Sequence, residues 1–305
     1  MKHPKISLLV PAYNEEVVIG GTLDHLINEV KYPNKEIIVG VDGATDKTLE
    51  IAQKYAKKHK EVRIIDNKKR KGLIGIMNDM LREATGEIIV KNDADVRRHY
   101  PERCLFEIAK ILEDKEVGGI TCLTEGFSKT GEKNKSWICR GEFFIHELVS
   151  DFSKQFYPIR YKTKHPVSVT AFRKSIIKKI GDSKGAIADD KEFGYKVLKS
   201  GYRIEWSPYT STYLIGGPTT AHDLFIQKRR GTVGWLKISE KFGTDVNLYY
   251  FDVLIFFFKN IYKYDAKDIV AFFYWCIVFS FARISAQFHM RDEPTKIWIP
   301  FKRKI

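Results

Sequence analysis

The sequence predicts a layered α/β domain, with a mainly parallel sheet flanked by helices, and a helical appendage at its C-terminal end. Short β-branched and leucine-rich runs alternate with segments whose apolar residues recur at helical spacing. This order is typical of parallel strands joined by crossover helices. The appendage is predicted by a change after Trp235 to segments dominated by Phe, Tyr, Leu and Ile.

The individual elements follow from apolar runs that stop at turn residues. Strands are predicted over 6–10, 37–41, 62–66, 87–92, 117–123 and 167–173. Helices are predicted over 16–30, 46–59, 73–84 and 174–180, and again after Asp190. Ligands of such sheets bind at the carboxyl ends of the strands. Residues that directly follow the strands are therefore the candidates for a functional site.

One of these strand ends carries the triplet Asp93-Ala94-Asp95. Two carboxylates spaced i, i+2 can hold a hard divalent cation, and oxygen ligands favour Mg²⁺ or Mn²⁺. A metal held by one or two protein carboxylates keeps positions for the phosphates of a nucleotide. Taken alone, an Asp-x-Asp triplet is more often a plain turn. The metal assignment therefore depends on the motifs around it.

Motifs at three strand ends, read in order, resemble glycosyltransferase family 2, which has the GT-A fold. They are Pro-Ala-Tyr-Asn-Glu-Glu at 11–16, Val-Asp-Gly-Ala-Thr-Asp at 41–46 and Asp-Ala-Asp at 93–95. The resemblance continues with Ala-Asp-Asp-Lys-Glu at 188–192 and covers residues 5 to about 235. It implies an inverting sugar transferase that uses a nucleotide-diphosphate donor, with a UDP-sugar expected.

The resemblance places donor binding at residues after the first, second and fourth strands. These are Pro11, Ala12, Tyr13, Glu15, Asp42 and Asp93. The carboxylate of Asp42 would accept hydrogen bonds from a uracil or a ribose, although an Asx-turn that closes the strand is an alternative. Asp95 is expected to bind the cation, with Asp93 as a nucleotide contact and second metal ligand.

Asp190 is the expected catalytic base. Sugar transfer requires the acceptor hydroxyl to lose its proton as it attacks the anomeric carbon, and a nearby carboxylate can take that proton. Asp189 is a neighbouring acid that would raise the pKa of Asp190, and Asp189 is also assigned to the acceptor side. Counting back from Gly201 aligns Asp190 with the base of the family. Alternatively, both aspartates cap the helix that follows.

A later motif, Gln-Lys-Arg-Arg at 227–230, is similar to the Gln-x-x-Arg-Trp motif of members that build polysaccharides or glycosylate membrane-bound acceptors. Gln227, Arg229 and Arg230 are assigned to the diphosphate or the acceptor, with a solvated basic face as the alternative. The sequence departs from the motif because Gly231 stands in place of the tryptophan. Trp235, four residues later, is assigned to the acceptor, and the missing tryptophan disfavours processive polymerisation.

We predict two domains, a GT-A catalytic domain over 1–235 and membrane-associated helices over 236–305. The apolar stretch 269–282 would span about 21 Å as a helix, short of a hydrocarbon core of about 30 Å. A helical pair that lies in one leaflet is therefore favoured. A helix extended through Arg283 to Phe288 would be long enough for a transmembrane span, and a buried helical subdomain or a dimer surface is a further alternative. The net charge of +14 would attract an anionic membrane surface. No nucleic-acid-binding motif is visible.

The expected location is the cytoplasmic face of the cell membrane, where a lipid-linked or glycan acceptor would receive the sugar. Four cysteines without paired spacing indicate reduced thiols, and the first strand follows Met1 too closely for a signal peptide. Two alternatives remain. A sugar-phosphate nucleotidyltransferase would need a Gly-rich, Arg-containing loop after the first strand. A catalytically silent membrane-bound scaffold would not need Asp93, Asp95 and Asp190.

Overall fold

The computed structural model describes residues 3–127, 136–160, 168–180, 190–243 and 246–289. They form two compact units that alternate along the chain. The first unit contains residues 3–123, 157–160, 168–180 and 190–213, and the second contains residues 124–127, 136–156, 214–243 and 246–289. The domain boundary that we place at residue 235 from the sequence stays a prediction.

The described strands, in chain order, are β1 Ile6–Ala12, β2 Lys35–Asp42, β3 Val62–Asn67, β4 Ile88–Lys91, β5 Val96–Arg98, β6 Val117–Ile120, β7 Thr124–Phe127, β8 Ala171–Arg173, β9 Arg203–Glu205 and β10 Thr212–Leu214. The described α-helices are α1 Ile19–Asp24, α2 Thr48–Lys58, α3 Gly72–Glu83, α4 Cys104–Ile111, α5 Trp137–Lys154, α6 Asp190–Lys199, α7 Ala221–Phe242, α8 Val246–Asn260 and α9 Ala266–Phe288. A π-helical segment covers His25–Glu29, and 3₁₀ turns cover Lys174–Lys178, Pro208–Thr210 and Ile261–Lys263.

A seven-stranded sheet in the order β3-β2-β1-β4-β8-β6-β9 forms the first unit. Strands β1 to β4 pair with one another in parallel, β8 is antiparallel to both β4 and β6, and β9 is parallel to β6. The mostly parallel sheet and its flanking helices confirm the predicted α/β fold.

Strands β1 and β2 are mainly apolar and almost completely buried, since helices cover the sheet. All seven residues of β1 are buried, as are all of β2 except Lys35. Gly40 of β2 shows how closely helix α3 packs, since a Cβ atom there would lie 2.6 Å from Cγ1 of Ile76 and 2.7 Å from the sulfur of Met80. Continuous apolar runs of this kind are what buried parallel strands require.

The register of the parallel strands brings the predicted site segments to one edge. Ala12 of β1 pairs with Val41 of β2, and Leu9 pairs with Lys91 of β4. The chain therefore leaves these strands toward the same carboxyl edge, where the segments 13–16, 42–46 and 92–95 follow.

The helix predicted over 16–30 is divided. Helix α1 ends at Asp24 and a π-helical segment continues to Glu29. The Lys35 ammonium satisfies carbonyls at the end of this segment, because its Nζ lies 2.7 Å from the oxygen of Leu26 and 3.3 Å from that of Ile27. The helix predicted over 174–180 is instead the 3₁₀ turn Lys174–Lys178.

The second unit consists of helices α5, α7, α8 and α9 with strand β7. The predicted segments 248–262 and 269–282 lie in α8 with its 3₁₀ extension and in α9. Its main apolar core contains the buried residues Phe144, Leu148, Phe152, Tyr249, Val253, Phe257 and Phe272. Helix α7 runs without a break through position 235.

Candidate active site

The segment after β1 is fixed to the segment after β2. Asn14 has a left-handed backbone, with φ of 54°, and its side-chain Oδ1 accepts a hydrogen bond from the Thr45 N–H at 2.8 Å. The N–H of Glu15 donates to Oγ1 of Thr48 at 2.7 Å. Asn tolerates this conformation better than most residues. Tyr13 and Glu15 are thus held at the predicted edge, while Pro11 and Ala12 are buried in β1.

Asp42, at the end of β2, is 3% exposed and accepts two backbone hydrogen bonds. The N–H groups of Lys71 and Gly72 donate to its two oxygens at 2.8 and 2.7 Å. These donors lie at the start of helix α3, where backbone N–H groups have no partner inside the helix. A carboxylate offers about four lone-pair positions. Asp42 therefore anchors α3 and keeps acceptor capacity for a ligand.

The loop 67–71 places a cationic side chain beside the predicted donor residues. The guanidinium carbon of Arg70 lies 4.0 Å from the centre of the Tyr13 ring. The loop is close to Gly43, where φ is +66° and a Cβ atom would lie 2.8 Å from the backbone nitrogen of Arg70. Only glycine satisfies both conditions at low cost. Tyr13 and Arg70 form one wall of the candidate site.

Lys71 is engaged by an acid of helix α3. Its Nζ lies 2.7 Å from Oδ2 of Asp79. Burial acts to raise the pKa of Asp79, but hydrogen bonds from Lys71 and Asn67 outweigh it and lower that pKa.

The carboxylates of Asp93 and Asp95 lie in the turn between β4 and β5. The Asp93 side chain is 47% exposed, and its Oδ1 lies 3.2 Å from Nζ of Lys91. Asp95 is half-buried. Within the described residues, no three His, Cys, Asp or Glu side chains come together as a metal site. This donor set fits a cation that takes one or two protein carboxylates and completes its coordination with phosphate and water oxygens.

Asp190 begins helix α6 close to the same edge. The N–H of Val169 donates to the Asp190 carbonyl at 3.0 Å, and the N–H of Lys91 donates to the carbonyl of Thr170 at 2.8 Å. The chain around Asp190 is therefore linked through residues 169–170 to the strand that carries the Asp93 turn. Oδ1 of Asp190 also accepts from the Lys191 N–H at 3.1 Å. Asp189 lies outside the described residues.

The Gln-Lys-Arg-Arg motif lies on helix α7 of the second unit. Lys228 points inward, with its Nζ 2.5 Å from Oε1 of Glu142, a residue that is 0% exposed. His146 Nε2 lies 3.2 Å from the same oxygen, and Trp275 Nε1–H donates to Oε2 at 2.7 Å. Burial favours a raised pKa for Glu142, yet Lys228 and His146 lower it well below its ordinary value.

The other assigned residues of α7 have different surroundings. Oε1 of Gln227 is buried and has no hydrogen-bond partner among the described residues. The Arg229 guanidinium lies 5.6 Å from the centre of the Phe225 ring, and Arg230 is half-buried. The Trp235 ring stacks against Tyr249 at 5.9 Å. The assignment of these four residues to the diphosphate or the acceptor stays a prediction.

The sequence patterns do not indicate three residues of interest, which are Arg70, Asn92 and Lys228. Arg70 and Lys228 lie in basic runs, 68–71 and 228–230, which resemble solvated surface segments. Asn92 is the last residue before the Asp93 turn and is 1% exposed. A buried amide at a strand end requires hydrogen-bond partners, but this burial is seen only in the structure.

The profile of the family described as "Glycosyl transferase family 2" matches residues 7–181. "Probable glycosyltransferase YdaM" of Bacillus subtilis is 30% identical over 223 residues, which are 69% of this chain and 50% of that protein. "Poly-beta-1,6-N-acetyl-D-glucosamine synthase" of Staphylococcus epidermidis is 26% identical over 233 residues, 75% of this chain and 54% of that protein. The chain thus spans about half the length of these two curated relatives.

Solved structures share the fold. The mannosyltransferase PcManGT from Pyrobaculum calidifontis, in complex with GDP-Man and Mn²⁺, has a TM-score of 0.63 at 20% identity, covering 95% of this chain and 88% of that chain. The S. aureus protein TarS 1-349, in complex with UDP-GlcNAc, has a TM-score of 0.51 at 19% identity, covering 75% of this chain and 66% of that chain. At these identities the likeness shows the fold.

Proposed function

Because this chain belongs to glycosyl transferase family 2, we propose that it transfers a sugar from a nucleotide-diphosphate donor to an acceptor hydroxyl with inversion. The observation that carries the proposal is the convergence of Asp42, the Asp93–Asp95 turn and the start of α6 at one carboxyl edge of the sheet. This is the edge at which α/β proteins bind ligands. The expected donor is a UDP-sugar, and the expected acceptor is lipid-linked or a glycan.

The nucleotide would lie beside the segments that follow β1 and β2. Asp42 is fixed by two backbone donors and can accept further hydrogen bonds from a base or a ribose. Tyr13 offers a ring already paired with the Arg70 guanidinium. A guanidinium also suits phosphate recognition because its donors form a planar fork. We assign Arg70 to the donor together with Tyr13, Glu15 and Asp42.

Asp95 and Asp93 would hold Mg²⁺ or Mn²⁺ together with the donor phosphates. When bound, the cation would stabilise the negative charge that grows on the leaving diphosphate. The half-exposed Asp93 side chain is paired with Lys91, so donor binding would exchange part of this ion pair for the metal. The dependence on a metal is supported by the chemistry of these two carboxylates and by the Mn²⁺ in the related structure of PcManGT.

Asp190 would act as the catalytic base. As the acceptor oxygen forms its bond to the anomeric carbon, its proton passes to the Asp190 carboxylate, and the bond between that carbon and the diphosphate oxygen breaks. One displacement of this kind inverts the anomeric configuration. Asp190 is half-buried at the first position of α6, where its carboxylate also interacts favourably with the helix dipole. Asp189, Gln227, Arg229, Arg230 and Trp235 remain our candidates for the acceptor or diphosphate.

We also propose that the protein works at the cytoplasmic face of a membrane. Exposed apolar side chains recur at helical spacing on one face of α8 and one face of α9. They are Phe251, Leu254, Ile255, Phe258, Val270, Phe273, Tyr274, Ile277, Phe281, Ile284 and Phe288. Exposed Lys259, Lys263 and Lys267 lie near the junction of these helices, where they suit anionic headgroups.

Helix α9 is long and apolar enough to cross a membrane, and 33% of its most apolar window is buried in the protein. Its buried face includes Trp275, which is bonded to Glu142 of α5, and it also packs along α7. Both neighbouring helices carry charged residues along their length, and charges are costly in hydrocarbon. We therefore favour an orientation in which α8 and α9 lie in the plane of one leaflet.

Incubation with a panel of UDP- and GDP-sugars, with Mn²⁺ or with EDTA, tests this function. We expect donor turnover with Mn²⁺, its loss with EDTA, and its loss in Asp95→Asn but not in the control Asp151→Asn, an exposed aspartate of the second unit. NMR of the product should show inverted anomeric configuration. Turnover that is unaffected by Asp95→Asn would contradict the metal assignment, and a nucleotidyl transfer product would contradict the reaction class.

A further inference from the structure

Buried side chains hold the backbone of the turn that carries Asp93 and Asp95. The Nδ2 group of Asn92 donates to the carbonyls of Asp93 and Val96 at 3.0 and 2.9 Å. The hydroxyl of Thr22 donates to the carbonyl of Ala94 at 2.5 Å. Thr22 and Asn92 are 0% and 1% exposed. Two buried side chains thus donate hydrogen bonds to three carbonyls in and directly after this turn, those of Asp93, Ala94 and Val96.

Thr22 belongs to a surface of helix α1 and the π-helical segment after it that contacts the turn and strand β5 at several points. His25 Nε2 accepts a hydrogen bond from the Arg98 N–H at 3.0 Å. A Cβ atom at Gly21 would collide with Nη2 of Arg97. These contacts join residues separated by 72 and 73 positions in the sequence. The second half of α1 and the first residue of the π-helical segment therefore pack directly against the chain from Ala94 to Arg98.

Arg98 fixes the orientation of the Asn92 amide. Its Nη2 donates to Oδ1 of Asn92 at 3.0 Å, so the Nδ2 group of Asn92 must face the two turn carbonyls. Arg98 is 2% exposed, and its Nε and Nη1 have no hydrogen-bond partner among the described residues. A buried guanidinium with this few partners is costly. A need to hold the Asn92 amide in one orientation would explain why an arginine is buried at this position.

We propose that Thr22 and Asn92 are positioning residues, which fix the Asp93–Asp95 turn in its metal-binding arrangement before the nucleotide and the cation arrive. The inference rests on the proposed function, because it concerns the metal that Asp93 and Asp95 would bind. Residues that orient metal ligands through hydrogen bonds, without touching the metal, commonly control metal affinity. A turn whose carbonyls are already bonded loses less conformational freedom when its carboxylates are fixed by a metal.

The test compares Thr22→Val with Thr22→Ser. Valine keeps the shape and removes the hydroxyl donor, whereas serine keeps the donor. The measured quantity is the ratio of the Kd for UDP or GDP without Mn²⁺ to the Kd with Mn²⁺, obtained by calorimetry. We expect Thr22→Val to reduce this ratio about three- to tenfold, the effect of one hydrogen bond, and Thr22→Ser to retain it.

Two further variants make the test specific. Thr210→Val removes another fully buried hydroxyl that donates to a carbonyl, that of Ser207 at 2.8 Å, and it should leave the ratio unchanged. Asn92→Asp keeps an acceptor for Arg98 but removes the donors to the turn, and it should lower the ratio. It also carries the test if thermal unfolding shows that Thr22→Val does not fold.

The possible failures are distinguishable. Wild-type protein that binds neither UDP nor GDP more tightly with Mn²⁺ would contradict the metal-dependent function itself. Wild-type protein with a large ratio, which Thr22→Val and Asn92→Asp leave unchanged, would overturn the positioning role alone. Equal weakening of binding with and without Mn²⁺ in these variants would also overturn it, because that result indicates general damage to the nucleotide site.

Discussion

Replacement of Lys228 by methionine should strongly destabilise the second unit. Lys228 is the cation that lies 2.5 Å from Glu142, and the Glu142 side chain is 1% exposed. Methionine would leave this carboxylate buried with His146 and the Trp275 N–H as its remaining described partners. Breaking a buried ion pair by removing one partner costs about 3–5 kcal/mol. Glu142 and His146 belong to α5, Trp275 belongs to α9 and Lys228 belongs to α7. The loss of the ion pair would therefore affect the packing of three helices.

Urea unfolding followed by tryptophan fluorescence measures this cost, because Trp137, Trp235 and Trp275 all lie in the second unit. The double variant Glu142→Gln/Lys228→Met is the informative companion. Glutamine still accepts from Trp275, and no unpaired charge remains buried. We therefore expect the double variant to be more stable than Lys228→Met alone. A free energy of unfolding for Lys228→Met within about 1 kcal/mol of wild type, the scale of an exposed ion pair, would refute this reasoning.

Three further predictions concern the first unit and the helical surface. Gly43→Ala should lower the melting temperature more than Gly201→Ala. Both glycines have positive φ, but of the two only Gly43 has backbone in the way of a Cβ atom, 2.8 Å from the backbone nitrogen of Arg70. Equal falls in melting temperature would contradict the close approach. Hydrogen bonds from Ser7 and Thr85, with the charge of Lys5, outweigh burial and lower the pKa of Glu36 to about 2. The ionised carboxylate therefore stabilises the fold at pH values above its ordinary pKa and loses this effect as pH falls toward 2. Between about pH 5 and 3, the melting temperature of Glu36→Gln should fall less than that of wild type. An equal fall in both proteins would refute the assignment. Phe258→Glu/Ile277→Glu should abolish co-sedimentation with anionic liposomes without lowering the melting temperature, because these side chains are 56% exposed; full retention on liposomes would contradict the proposed membrane face.

The sequence was sufficient for the parallel half of the sheet. Strands β1, β2 and β4 contain continuous buried apolar runs, and the edge strand β3 contains Val62, Ile64 and Ile65, so all four can be predicted from local composition. Short strands β5 and β10, of sequence Val-Arg-Arg and Thr-Tyr-Leu, have no such pattern. Helix α5 was also not predicted, because its charged residues Glu142 and Arg140 interrupt the apolar spacing. Both are paired inside the second unit, Glu142 with Lys228 and Arg140 with Asp268.

Candidate site residues were predictable where they follow a predicted strand, as Asp42, Asp93 and Asp95 do. The residues that hold them were not. Asn92 and Thr22 contact the turn through hydrogen bonds, and Thr22 is 72 positions distant in sequence from its partner Ala94. Such contacts depend on the tertiary packing of α1 and leave no periodic signal. The inward orientation of the Lys228 side chain could not be predicted either, since its partner Glu142 is 86 positions away in the sequence.

The most direct test of the proposed chemistry is a comparison of Asp190→Asn with wild type in two measurements on the same preparation. We predict that sugar transfer falls by about 10²–10⁴-fold, the usual contribution of a general base, while the Kd for nucleotide with Mn²⁺ stays within about twofold, less than the effect of one hydrogen bond on average. Transfer by Asp190→Asn at a rate similar to wild type would contradict the assignment of Asp190 as the group that accepts the proton.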